Sequence, residues 1–279
     1  MSDCGSDRTA VLAMPMATSD TARRTTVVAA TLTLLAACPE PARAQHRVPP
    51  ASGIWQSADP SHALSAPARQ RLFASLRRIT GIEGFAFAAD GRLEMGTFTP
   101  GHQGSSLARR ILQDALASGN IFVLEDHSNS AAVNFGQIEG MEYINDATNQ
   151  HDRVWWIRLD FADFLRIDAP PRVRATFDEG FTLLHELLHA LGHHDTTNAG
   201  ELGECETILN QAREEVGLPL RAEYFATLVR SPAFGVAAVR LRFLDRPSGQ
   251  RNQHEQDLFF ALSTLALSTS TASVHRRPE

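Results

Sequence analysis

Residues 185–195 read His185-Glu186-Leu187-Leu188-His189-Ala190-Leu191-Gly192-His193-His194-Asp195, and this stretch constrains the rest of the chain more than any other. Two histidines spaced by four share one face of a helix, with Cβ atoms about 5–6 Å apart. Both imidazoles then reach a single ion at the Zn–N distance of roughly 2.0–2.1 Å. Glu186 follows the first histidine and projects to the flank of that ion, where a carboxylate takes a proton from an activated water. Further out, at about 100° per residue, Phe177, Phe181, Leu184, Leu188 and Leu191 fall on one arc, continued by Leu183, Leu187 and Ala190. Asp178, Thr182, His185, Glu186 and His189 share the opposite arc. The pattern predicts a helix over Thr176–Leu191, seated through its apolar side and carrying its chemistry on the polar one. Gly192 permits the left-handed turn that ends a helix, so the chain doubles back and brings residue 195 towards the ion.

His-Glu-x-x-His resembles the signature of the zincin metallopeptidases. With Gly192 and Asp195 it extends to His-Glu-x-x-His-x-x-Gly-x-x-Asp. That is similar to the metzincin pattern with aspartate for the third histidine, as in small secreted bacterial zinc peptidases of the snapalysin type. The match covers about a dozen residues, and no methionine follows Met141 to build the methionine turn of metzincins. The alternative is the gluzincin arrangement, in which a glutamate on a later helix is the third ligand; Glu204, Glu206 and Glu223 are available. The segment from Glu206 to Tyr224 is also similar to the region after the motif in some bacterial effector metallopeptidases. There Arg221 and Tyr224 would steady an oxyanion; the plainer reading is an ion pair and a half-buried phenol.

The resemblance implies an α+β, zincin-like metallopeptidase domain with a small mixed sheet and an active-site helix. It implies Zn2+ on His185, His189 and Asp195, with Glu206 next in line, Glu186 as general base and a peptide or protein as substrate. A catalytic zinc takes three protein ligands and keeps one open position, whereas a structural zinc is closed by four. A catalytically silent exported metal-binding protein on the same scaffold is therefore the rival reading. Asp160, Asp178 and Glu179 are candidates to accept the free N–H of a ligating histidine, Asp178 foremost because it shares the histidine face.

A net charge of −6 gives no electrostatic footprint for nucleic acid. All 26 basic residues are arginine. Residues 1–44 read as a signal peptide, with Arg23-Arg24 before the apolar run Thr25–Ala37 and an A-x-A site ending at Ala44. A lipobox-like Leu35-Ala36-Ala37-Cys38 offers lipid anchoring at Cys38 as the alternative. An exported, monomeric protein without a membrane span is expected, secreted or periplasmic. Cys205 reads as a small buried apolar residue.

The remaining organisation is a linker over 45–66, the catalytic domain over 67–260 and a flexible tail over 261–279. Ser65 with Pro67 opens a helix to Ile79, and Asp90-Gly91 turns a hairpin within 84–98. Ser105 or Ser106 caps a helix ending at Gly119. Strands are expected at Ile121–Leu124, Ala131–Ile138 and Val154–Phe161, where either of the last two would pair with a substrate strand. A helix is expected over Leu202–Val216, another over Leu220–Arg230, and a strand or helix over Val236–Leu244. For Trp155-Trp156 the expectation is core packing with one half-exposed ring.

Overall fold

A computed structural model describes residues 48–98, 104–130, 134–145, 150–230, 237–245 and 254–261. The leader with Cys38, residues 131–133 of the expected strand and the tail past Ala261 lie outside the described residues. In chain order the elements are β1 (Gly53–Gln56), α1 (Ala66–Thr80), β2 (Ala86–Phe87), β3 (Leu93–Glu94), α2 (Ser106–Ala117), β4 (Ile121–Asp126), β5 (Gly136–Asn145) and β6 (Gln150–Leu159). There follow α3 (Phe161–Leu165), β7 (Ile167–Asp168), α4 (Pro171–Arg174), α5 (Glu179–Ala190), α6 (Gly203–Glu215), β8 (Leu220–Arg221), β9 (Thr227–Arg230), β10 (Ala237–Asp245) and β11 (His254–Ala261). The class is mixed α+β.

The first sheet has the order β1-β4-β6-β5, with β1, β4 and β6 parallel and β5 antiparallel at its edge. β4 is apolar on both sides because both faces are covered. Phe122 and Leu124 enter a core with Leu72, Leu76 and Ile79 of α1, Leu112 of α2 and Leu184 and Leu188 of α5. Ile121 and Val123 pack on the far face with Trp55, Val154 and Trp156. Trp156 is thus core and Trp155 half-buried, as expected. A second sheet, β7-β11-β10-β8 with β9 on β10, builds a separate core around Phe135, Phe164, Val173, Leu241, Phe243 and Phe260.

Capping explains the boundaries that were legible. Ser65 and Ser105 each accept a backbone N–H three residues on. Some expectations need correction. Residues 45–66 are not all irregular, since Gly53–Gln56 is a buried strand paired to β4. The stretch Leu220–Arg230 is two short strands rather than a helix, because β10 offers both a pairing edge. Phe161 belongs to α3 and not to the strand before it; Asp160 ends the strand by accepting from the N–H groups of Ala162 and Asp163.

Candidate metal centre

α5 starts at Glu179, later than expected, because Asp178 takes the capping position and accepts from the N–H groups of Gly180 and Phe181. It ends in a Schellman turn: Gly192 at φ 95° bonds to the His189 carbonyl and His193 to that of Leu188. This turn sends Asp195 back over the last helical residues. His185 Nε2 and His189 Nε2 stand 3.1 Å apart. Asp195 Oδ1 is 3.4 Å from the former and Oδ2 is 3.2 Å from the latter.

The partners of the other ring nitrogens set the tautomers. His189 Nδ1 faces the His193 carbonyl at 3.1 Å, and His185 Nδ1 faces Glu206 Oε1 at 3.2 Å. Both are acceptors, so both Nδ1 atoms carry the proton and both Nε2 lone pairs point at the Asp195 carboxylate. Three electron-rich groups so placed repel one another unless a cation lies between them. A tetrahedral ion with bonds of about 2.0–2.1 Å separates its ligand atoms by roughly 3.3–3.4 Å, within a few tenths of the spacings here. The residues fit a metal ion. Without one, the same field holds a proton: burial opposes charge on His185, but Asp195 and Glu206 push it up to about 10. Burial likewise works against the Asp195 anion, yet the facing histidines, His185 first, and the Tyr224 hydroxyl keep its carboxyl far below the ordinary range.

Behind the three donors lies a layer that holds them. Glu206 is 2% exposed, which without partners would forbid its charge. Arg213 Nη1 donates to Oε2 at 2.7 Å and Arg221 Nη1 to Oε1 at 3.0 Å. These guanidiniums overcome the burial penalty and hold the Glu206 carboxyl well below its usual value. Tyr224 donates its hydroxyl to Asp195 Oδ2 at 2.6 Å, and its ring lies parallel to His185. Arg221 and Tyr224 therefore belong to the site as supports of Glu206 and Asp195.

Glu206 is the carboxylate behind the first histidine, and Asp195 is the one beside both Nε2 atoms. Glu204 instead caps His194 N–H, and Glu223 pairs with Arg242. Asp160 and Asp178 are spent on helix caps, and Glu179 pairs with Arg71; none meets a histidine. Sequence reasoning missed Glu206 in this role and the His193 carbonyl altogether. The available signal was an acid and an arginine seven apart, Glu206 and Arg213, on the same face of α6 as Cys205 and Leu209.

Glu186 is 1% exposed, and neither of its carboxylate oxygens has a hydrogen-bond partner. Burial raises its proton affinity, with the two histidines pulling the other way. It lines a cavity with Thr182 and His185, walled by Phe135, Phe177, Phe181 and Phe260. Cys205 completes a His185, His189, Asp195 and Cys205 group whose ligand atoms lie within 4.8 Å of one another. Its sulfur is 3.7 Å from His189 Nδ1, the nitrogen already bonded to the His193 carbonyl. Burial and then the carboxylates around it, Asp195 first, push its thiol up, away from the thiolate a metal binds.

No protein-family model, no curated protein and no solved structure matches this chain. The chemistry of the centre rests on its own residues. Among the described residues no helix is long and apolar enough to cross a membrane.

Proposed function

We propose that the chain is an exported zinc-dependent metallopeptidase with a zincin-like catalytic domain. The observation that carries this reading is the convergence of His185 Nε2, His189 Nε2 and Asp195 at 3.1–3.4 Å, with both Nδ1 atoms facing fixed acceptors. Zinc suits a set of two imidazoles and one carboxylate. Bound there, it supplies Lewis acidity, lowering the pKa of a water towards neutrality and polarising an amide carbonyl. The chain does the rest. Glu186, adjacent and without a partner, accepts the water proton on a carboxylate oxygen and returns it to the leaving nitrogen. Its apolar surroundings raise its proton affinity, which suits a group that must take up and then release a proton near neutral pH. β5 leaves one edge of its sheet unpaired among the described residues and begins at the cavity that Glu186 lines. An extended substrate adds to such an edge through its backbone.

The nearness of Cys205 favours a second reading, a closed site of four protein ligands without turnover. The experiment that separates them is zinc analysis of the full chain, with hydrolysis of an unfolded casein assayed with and without a chelator. Glu186→Gln should keep one zinc and lose about 10²–10⁴-fold in kcat. Cys205→Ser should keep both zinc and turnover. A zinc-loaded wild type that hydrolyses nothing, with zinc lost from Cys205→Ser, establishes the closed site instead.

A further inference from the structure

The connection from β4 to β5 contains a backbone irregularity beside the base. Phe135 has φ 61°, one of only two non-glycine residues with positive φ among the described residues. Gly136 N–H donates to the Asn134 carbonyl at 2.7 Å, which makes Phe135 the centre of a γ-turn in the rare, strained hand. A bulky residue persists there only where its surroundings over-determine it. They do. Its N–H donates to Asp163 Oδ2 at 3.0 Å and its carbonyl accepts from Asp160 N–H at 3.0 Å. Its ring stands edge-on to Phe164, Phe177 and Phe260 with centroids 4.6–5.1 Å away.

The turn presses the first residue of β5 onto α5. A Cβ on Gly136 would lie 2.5 Å from Thr182 Cγ2 and 2.9 Å from Glu186 Oε1. Only a residue without a side chain lets the strand edge approach this closely. The carboxylate it meets is the buried one that makes no hydrogen bond within the protein. Strain, glycine and unpartnered base thus coincide at one point.

We infer that the Asn134–Phe135–Gly136 turn is a positioning device: it fixes the height of the β5 edge over α5, and Gly136 leaves Glu186 the space from which it addresses a ligand at the metal. This rests on the metallopeptidase reading, of which the affinity arm of its test needs only the bound zinc. The two contacts that a Cβ would violate differ in kind. Thr182 Cγ2 is a packing neighbour that Thr182→Ser removes; Glu186 Oε1 is the functional atom and stays.

The test is a double-mutant cycle on the full, zinc-loaded chain: wild type, Gly136→Ala, Thr182→Ser and the double variant. Melting temperature, zinc content and affinity for acetohydroxamate are measured, with kcat and KM on unfolded casein. Acetohydroxamate chelates zinc through two oxygens and donates a proton to an adjacent carboxylate. Gly136→Ala should keep its zinc, melt lower, bind acetohydroxamate about tenfold or more weakly, as for one lost charge-assisted hydrogen bond, and lose kcat with KM little changed. Adding Thr182→Ser should restore the melting temperature and leave acetohydroxamate affinity and kcat depressed. Recovery of all three in the double variant would reduce Gly136 to packing and overturn the inference, as would unaltered acetohydroxamate binding by Gly136→Ala. A wild type that binds zinc and acetohydroxamate yet hydrolyses nothing defeats the peptidase reading alone, and the affinity arm still decides this one. A wild type that takes up no zinc removes both.

Discussion

Buried Glu206 and half-buried Asp195 are both carboxylates beside His185, and the atoms they face set them apart. Both oxygens of Glu206 are engaged, with His185 Nδ1, Arg213 and Arg221, so it turns the ring and fixes its tautomer. Oδ1 of Asp195 has no hydrogen-bond partner and lies on the Nε2 side. Asp195→Ala should therefore abolish stoichiometric zinc, while Glu206→Gln weakens it about 10–100-fold, as for partners of metal-bound histidines generally; competition with a coloured chelator measures both. The pH dependence follows from His185. In the metal-free chain its folded pKa of about 10 lies above the unfolded 6.5, so its contribution to stability is complete below 6.5 and disappears as pH rises through 10. The metal-free melting temperature should fall between pH 7 and 10. The zinc form should not share that fall, because zinc replaces the proton. Zinc uptake at pH 8 should release about one proton per chain, which calorimetry in buffers of different ionisation enthalpy detects.

At the scale of elements, the end of α5 carries a prediction of its own. Gly192 holds a left-handed conformation that costs other residues about 1–2 kcal/mol, and the Schellman bonds it closes deliver both the His193 carbonyl and Asp195. Gly192→Ala should lower the melting temperature and zinc affinity together, and Gly192→Asn, which tolerates this conformation better, should lose less of each. This end was readable in the sequence because a glycine after a periodic run has one economical conformation. So were the serine caps of α1 and α2. Leu220–Arg230 was not: its Leu-Arg-Ala-Glu-Tyr suits a helix locally, and pairing with β10 overrides a preference this weak. β1 was hidden because four residues are too few for a period to show. At the centre, the two histidines and Glu186 were visible as spacing within one helix. The Glu206–His185 and Tyr224–Asp195 contacts join residues 21 and 29 apart in sequence, and no local pattern encodes such pairs.

Those long-range contacts also tie the two halves of the molecule together. The first sheet with α1, α2 and α5 has a core of its own, and so has the second sheet. β8 is held in the second sheet by only two residue pairs with β10, and Arg221 of β8 and Tyr224 just after it turn their side chains to the metal side. There Arg221 reaches Glu206, and Tyr224 reaches Asp195. An ion on His185, His189 and Asp195 would fix the acceptors of both contacts. Without it, Asp195 answers only to a proton and Tyr224. Chelation should therefore loosen residues 220–230 and the facing part of β10 while leaving β4 and β6 protected. Hydrogen exchange followed by peptide mass analysis reads this directly. Tyr224→Phe, which removes only the hydroxyl, should give the zinc-loaded chain part of the same exchange pattern. Equal protection of both sheets with and without metal would mean that the second sheet stands on its aromatic core alone, with its arginine and tyrosine serving the metal without depending on it.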